Sequence, residues 1–266
     1  MRVALRLAYL GQGYYGFQSQ PQVPTVEGVV RRGLSSLGLA ESGFCYAGRT
    51  DRGVSALGQV VSFHVDEDQA SLAVPRVINT RLPWNVWTWA WALVPEDFSA
   101  RYGAVWRKYW YVLCRHDLDL DLMQKAAQNL MGTHDFRNFS AEKKRGTVKT
   151  LISLDIREHR GGVIIEAKAD GFLWNMVRKI VTALEMVGSG KKTVDWVQDL
   201  LNPQLNQGVA AAPPEGLVFL DVGYGREIDW DEDLYSKKIA SARLSKALVP
   251  QKALTESMGE ILKSMS

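Results

Sequence analysis

The densest concentration of reactive residue types lies in Ala47-Gly48-Arg49-Thr50-Asp51-Arg52-Gly53-Val54-Ser55-Ala56-Leu57-Gly58-Gln59-Val60-Val61-Ser62-Phe63. One aspartate stands between two arginines, three glycines bracket it, and an apolar run follows directly. Glycines let a backbone come close to a ligand, and flanking guanidiniums favour the ionised carboxylate. An ionised carboxylate without a metal suits a nucleophile or a base better than a general acid. The same spacing also fits a tight turn closed by a structural ion pair. A second concentration, Asp170-Gly171-Phe172-Leu173-Trp174-Asn175-Met176-Val177-Arg178-Lys179, opens an apolar helix. There Arg178 either meets a buried carboxylate or snorkels to the surface. A third interleaves cations and aromatics: Arg101, Tyr102, Trp106, Arg107, Lys108, Tyr109, Trp110 and Tyr111, with a basic run of Arg137, Lys143, Lys144, Arg145 and Lys149 further on. Cations can neutralise phosphates and aromatics can stack on bases; a solvated strand face is the plainer alternative.

Other chemistries find little support. His64, His116, His134 and His159 are far apart, and Cys45 and Cys114 have no C-x-x-C partner, so no metal site is expected. There is no Walker loop or Rossmann fingerprint, and hence no nucleotide cofactor; Gly11-Gln12-Gly13 lacks a third glycine. Neither cysteine has a nearby basic residue pair that argues for a nucleophilic thiolate, so both read as core packing. Two cysteines in 266 residues make no disulfide framework, which favours a reducing, cytoplasmic setting. Arg6 interrupts any signal-peptide core, and the apolar stretch 84–94 contains Asn85 and Thr88 and is too short for a membrane span. With 46% hydrophobic and 23% charged residues the chain has the balance of a globular protein and is neither disordered, collagenous nor a coiled coil. Its net charge of +3 leaves room for a local basic surface that binds nucleic acid.

Hydrophobic periodicity supplies the elements that must position these residues. Val3, Leu5, Leu7 and Tyr9 alternate as one face of a strand. Thr25 can cap a helix over about 26–38, and a helix is expected over about 70–81, ended by Pro83. In 85–94, Trp87, Trp89, Trp91 and Leu93 fall on one strand face. The strand 104–114 places Arg107, Tyr109 and Tyr111 on one face and Trp106, Lys108 and Trp110 on the other. Further on come a helix at 119–131, a hairpin of 150–158 and 163–169 turning at Arg160-Gly161-Gly162, a helix at 172–187 stopped by Gly188, a helix at 193–201, and a last strand at Val218, Leu220 and Val222. Hairpins with helices on one side indicate α+β. Only a loose two-fold echo relates 1–101 to 102–225.

The segment from Gly48 to Val60 closely resembles the signature of TruA-type tRNA pseudouridine synthases. The resemblance extends to five further segments in the family's order: Tyr14-Tyr15-Gly16-Phe17-Gln18-Ser19-Gln20; Phe98-Ser99-Ala100-Arg101-Tyr102 with Arg107-Lys108-Tyr109-Trp110-Tyr111; Gly132-Thr133-His134-Asp135-Phe136; Phe172-Leu173-Trp174-Asn175-Met176-Val177-Arg178; and Pro214-Glu215-Gly216-Leu217-Val218-Phe219-Leu220. It covers about 1–225. The stretch 115–121 is short where many members carry an insert, and the tail from about 226 lies outside the shared core.

The resemblance implies a pseudouridine synthase fold: two similar lobes sharing an extended antiparallel sheet, helices packed outside and a central basic cleft. Residues 1–101 would form the lobe with the catalytic loop, 102–225 the second lobe, and 226–266 a basic, helical extension. It implies isomerisation of uridine to pseudouridine in the anticodon stem-loop of tRNA, at positions 38–40, by a cytoplasmic homodimer that needs no cofactor. Asp51 takes the place of the catalytic aspartate, whether it acts on sugar or base or as a base. Tyr109 matches a tyrosine that stacks on the target base, and Arg178 the arginine paired with the aspartate. Arg49 matches an arginine implicated in displacing the base, and Leu217 a leucine near the uracil. Arg52 stands where many members have alanine; its charge suggests a phosphate contact. Two other classes fit parts of the pattern: a glycosidase-like hydrolase, which normally needs a second carboxylate, and a catalytically silent RNA-binding protein, against which the intact Arg49-Thr50-Asp51 speaks.

Overall fold

The computed structural model describes residues 1–39, 42–142, 146–159, 162–205 and 207–247. Along the chain run β1 (Arg2–Tyr9), α1 (Val26–Ser35), β2 (Cys45–Tyr46), β3 (Ser55–His64), a 3-10 turn (Glu67–Leu72), α2 (Pro75–Ile78), β4 (Val86–Val94) and β5 (Ala104–Leu113). There follow α3 (Leu120–Leu130), β6 (Gly132–Asp135), β7 (Val148–His159), β8 (Gly162–Ala169), α4 (Met176–Gly188), α5 (Val194–Asp199), β9 (Leu217–Tyr224), β10 (Asp231–Glu232) and α6 (Leu234–Ala247). The class is mixed α+β, as the periodicity indicates.

The chain divides into two units, 1–105 with 218–266, and 106–217. In the first, β1 lies between β3 and β4, antiparallel to both. Its two neighbours leave it buried along nearly its whole length, which the small residues Ala4 and Ala8 permit on the face opposite Val3, Leu5 and Leu7. β10 borders β4, and β2 pairs with β3. One junction departs from the antiparallel expectation: β9 joins β3 in parallel, Ser55 opposite Val218 and Ala56 opposite Phe219. Helix α1 starts where expected, with the Gly28 N–H donating to Thr25 Oγ1 at 3.3 Å and Val26, Val30 and Leu34 buried.

In the second unit β8 lies between β5 and β7, and β6 edges β7, all antiparallel. Helix α3 packs against α4, α5 and β7. Asp119 caps it, accepting from the Leu122 N–H at 2.9 Å. Helix α4 buries Met176, Val177, Ile180, Val181, Leu184 and Val187; each such side chain contributes about 1.5–3 kcal/mol.

Three local expectations are corrected, and one segment left without an assignment gains one. The helix over 70–81 is a 3-10 turn followed by the four-residue α2, because Pro75 holds Val74 extended (φ −105°, ψ 153°). The face of Trp87, Trp89, Trp91 and Leu93 is broken by a bulge: Leu7 pairs with Thr88 and Arg6 with Ala90, so Trp89 is the extra residue. A bulge shifts the alternation by one; Trp87 and Trp89 are buried while Leu93 is 57% exposed. The segment 132–136 includes the short strand β6. Helix α4 begins only at Met176; its last residue is Gly188, close to the expected end, and beyond the cap at Ser189 the Gly190 residue takes φ +71° and bonds Val187 O through its N–H. Gly188 is required for another reason: a Cβ there would lie 2.6 Å from Met123 Cγ. The hairpin turn residues Arg160 and Gly161 lie outside the described residues.

Candidate active site

Asp51 occupies the first corner of a tight turn between β2 and β3. The Val54 N–H donates to the Asp51 carbonyl at 3.1 Å, and Gly53 takes the positive φ, +83°, that such a turn needs at its third residue. The carboxylate is half-buried. Arg49 and Arg52 flank it and are both exposed; the Arg52 guanidinium lies 4.2 Å from the Tyr15 ring centroid. The early loop, which includes the resembling segment Tyr14 to Gln20, packs directly on this turn. The Phe17 N–H donates to Thr50 O at 3.0 Å. A Cβ on Gly16 would sit 2.9 Å from Thr50 O, and one on Gly11 would sit 2.2 Å from Val54 O. These glycines are there because the two loop backbones touch.

Two residues that sequence reasoning left without a role, Gln59 and Tyr9, hold the loop from below. Gln59, fully buried in β3, bonds both polar groups of Gly48: its Nε2–H donates to Gly48 O at 2.7 Å, and its Oε1 accepts the Gly48 N–H at 3.3 Å. Tyr9, fully buried at the end of β1, shares a 2.8 Å hydrogen bond between its hydroxyl and Thr50 Oγ1. Burial pushes the Tyr9 phenol well above its usual range, against the hydrogen bonds from Thr50 and Gln59. The signal for Gln59 was present: an amide inside an apolar strand must find partners.

The second unit holds the other named residues. Tyr109, on β5, is 7% exposed and meets Phe172 edge-on at 5.0 Å. Arg178 lies in the first turn of α4, which opens on Asn175 in the left-handed conformation (φ 64°). Its Nε–H donates to Ala212 O at 2.5 Å and its Nη1 to Asn175 Oδ1 at 3.0 Å, while the Ala212 N–H returns a bond to Arg178 O at 3.1 Å. Arg178 thus ties the start of α4 to the segment leading into Leu217, which is buried as the first residue of β9. The Tyr111 hydroxyl fastens the same segment through Pro213 O at 3.0 Å. Of the basic run, Arg137 pairs with Asp135 at 3.4 Å; Lys143, Lys144 and Arg145 lie outside the described residues.

The cysteine reading is corrected. Cys114 is exposed. Cys45 is half-buried 3.5 Å from Arg2 Nη2, a cation 43 positions away in sequence and so invisible to local spacing. Burial raises its thiol pKa, but hydrogen bonds from Ser62, Ser99 and the Ala100 and Arg101 backbone outweigh that and leave it lowered. Among the described residues no group of three or more His, Cys, Asp or Glu side chains could hold a metal ion, and no helix is long and apolar enough to cross a membrane.

The chain is similar to known proteins along its whole length. A family model described as tRNA pseudouridine synthase matches residues 126–225. The chain is 51% identical over 265 residues to tRNA pseudouridine synthase A of Methanothrix thermoacetophila, covering 100% of this chain and 97% of that one. It is 45% identical to the Methanosarcina mazei protein of the same name (98% and 99% covered) and 38% identical to that of Pyrococcus furiosus (84% and 84%). The Methanothrix match takes in the segment from 226 onward, so the tail has a counterpart in that relative. Among solved structures, an H/ACA RNP bound to a substrate RNA containing 2′-deoxyuridine is similar at 16% identity and TM-score 0.38, over 70% of this chain and less than half, 44%, of that one.

Proposed function

The chain belongs to the tRNA pseudouridine synthase family and is a uridine isomerase acting on tRNA, and from this premise we propose that it modifies uridines 38–40 of the anticodon stem-loop with Asp51 as its catalytic carboxylate. In the reaction the N1–C1′ bond of uridine breaks, the uracil turns, and C5 bonds to C1′. The proton leaves C5 and N1 ends protonated, so atoms and oxidation state balance. What carries the reading is full-length identity of 51% to a named synthase together with one carboxylate held on a turn between two arginines. Extruding the base costs a few kcal/mol. Stacking on Tyr109, which would return about 1–3 kcal/mol, and a phosphate contact from Arg52 offset it, and the resemblance assigns Arg49 to displacing the base. The resemblance assigns Arg178 to the aspartate and Leu217 to the uracil. It also supports a homodimer working in the cytoplasm.

The test is a set of unmodified tRNA transcripts in which uridines 38, 39 and 40 are replaced by cytidine singly and together. Conversion should vanish at each replaced position and altogether in the triple replacement. Pseudouridine appearing elsewhere in the triple transcript would overturn the assignment of position. Release of free uracil would favour the hydrolase reading.

A further inference from the structure

The reading of Asp51 as the catalytic group leaves open how a carboxylate on a glycine-rich loop keeps one position. On its C-terminal side the turn closes through the Val54 N–H, and the Gly11 N–H donates to Ser55 Oγ at 3.1 Å. On its N-terminal side the support comes from side chains in the sheet. The β2–β3 ladder ends at Tyr46, and the Ala47 N–H still reaches Val60 O at 2.9 Å. Beyond that point the Gln59 amide stands in for a strand backbone and holds Gly48 from both sides. Next along the loop, Thr50 Oγ1 meets the Tyr9 hydroxyl at 2.8 Å.

The sheet is built to allow this. Leu7 pairs with Gln59 but Tyr9 with Ala56, so β3 carries an extra residue between them. The Leu57 carbonyl accepts the Trp89 indole N–H at 2.8 Å, and Gly58 lets β9 approach, since a Cβ there would lie 2.3 Å from Leu220 O. Tyr9, Gln59 and Thr50 are all buried, so water cannot stand in for a missing partner.

We propose that Tyr9, Gln59 and Thr50 are positioning residues for the isomerisation: two buried hydrogen-bonded supports, Gln59 on Gly48 and Tyr9 on Thr50, fix the backbone immediately before Asp51. None of them touches the substrate. Their effect is on the chemical step, because a displacement of about 1 Å at a reacting group costs on the order of a hundredfold in rate.

The experiment measures single-turnover conversion of pre-bound unmodified tRNA, and tRNA Kd, for Tyr9→Phe, Thr50→Val, Thr50→Ser, the Tyr9→Phe/Thr50→Val pair and Asp51→Asn. Thr50→Val and Tyr9→Phe should each slow conversion about tenfold or more with Kd within about twofold. Thr50→Ser, which keeps the hydroxyl, should stay within about threefold of the parent. The double variant should be no slower than the slower single one, because both changes remove the same bond. Thr50→Val converting at the parent rate would overturn the proposal, as would Thr50→Ser being as slow as Thr50→Val, or a fall in rate matched by an equal fall in affinity. Should Tyr9→Phe fail to fold, the two Thr50 variants decide alone. An active Asp51→Asn would overturn the catalytic reading itself, whereas an inactive Asp51→Asn beside a fully active Thr50→Val would overturn only the positioning role.

Discussion

At Tyr109 the ring and the hydroxyl make separable contributions. The side chain sits on a sheet strand with Phe172 against it edge-on, a geometry that fixes the ring plane. Tyr109→Phe should retain most of the rate and of tRNA affinity, and Tyr109→Ala should lose about 1–3 kcal/mol of stacking in both; equal damage in rate and Kd measurements would assign the role to the hydroxyl. Arg178 also contributes to folding, apart from the site role proposed for it. Its bonds to Ala212 O and Asn175 Oδ1 come from a charged donor, and such bonds are worth roughly 1.5–3 kcal/mol each. Arg178→Met should therefore lower both Tm and turnover more than Arg137→Met, whose ion pair with Asp135 is partly exposed. Equal Tm and turnover in the two variants would contradict this. These residues could be named from sequence because motif order places them. The hydrogen bonds around them could not: Tyr9 reads as one more apolar strand position, yet its hydroxyl lies 2.8 Å from Thr50 Oγ1, 41 residues away.

Elements with a strong period or a cap were legible: β1 by alternation, α1 by Thr25, α3 and α4 by their apolar faces. What escaped was set by tertiary contacts. The bulge in β4 depends on its register with β1. The parallel junction of β3 with β9 depends on a crossover from the other end of the chain. The two-residue strands β2 and β10 have too few positions to show a period. The glycines of the early loop are legible as loop markers, but their purpose appears only where Gly11 and Gly16 touch the turn that carries Asp51. Gly11→Ala puts a methyl group into the Val54 carbonyl, and backbone cannot swing aside as a flexible side chain could. Overpacking of this kind costs typically 1–3 kcal/mol, and here the strain falls on the turn. Thermal unfolding and turnover of Gly11→Ala should show a lower Tm together with a rate reduced about tenfold or more; unchanged turnover would contradict a rigid contact between the loops.

For the whole molecule, the segment 236–263 carries a net charge of +4, which suggests a hold on tRNA. The start of α6 has another use. Ser236 and Lys237 are buried against the first unit; Lys237 Nζ pairs with Glu232 at 2.9 Å, and Asp233 pairs with Arg76 at 2.7 Å. Lys238 is exposed, while Lys252, Lys263 and Pro250 lie outside the described residues, as do the side chains of Arg243 and Lys246. A chain ending at Asp231 should accordingly have a lower Tm. Its log K for tRNA against log salt should also flatten by about 0.9 for each phosphate that the extension no longer neutralises, taking the duplex DNA value as a guide; an unchanged slope would assign the extension to packing alone. At this scale one proposed carboxylate, Asp51, carries out the isomerisation. The most direct test incubates the chain and its Asp51→Asn variant with unmodified tRNA, maps pseudouridine by chemical derivatisation and sequencing, and measures free uracil and tRNA Kd in parallel. The parent should form pseudouridine in the anticodon stem-loop without releasing uracil, and the variant should bind tRNA within a few-fold but form none; turnover by the variant near that of the parent, or uracil released by the parent, would contradict it.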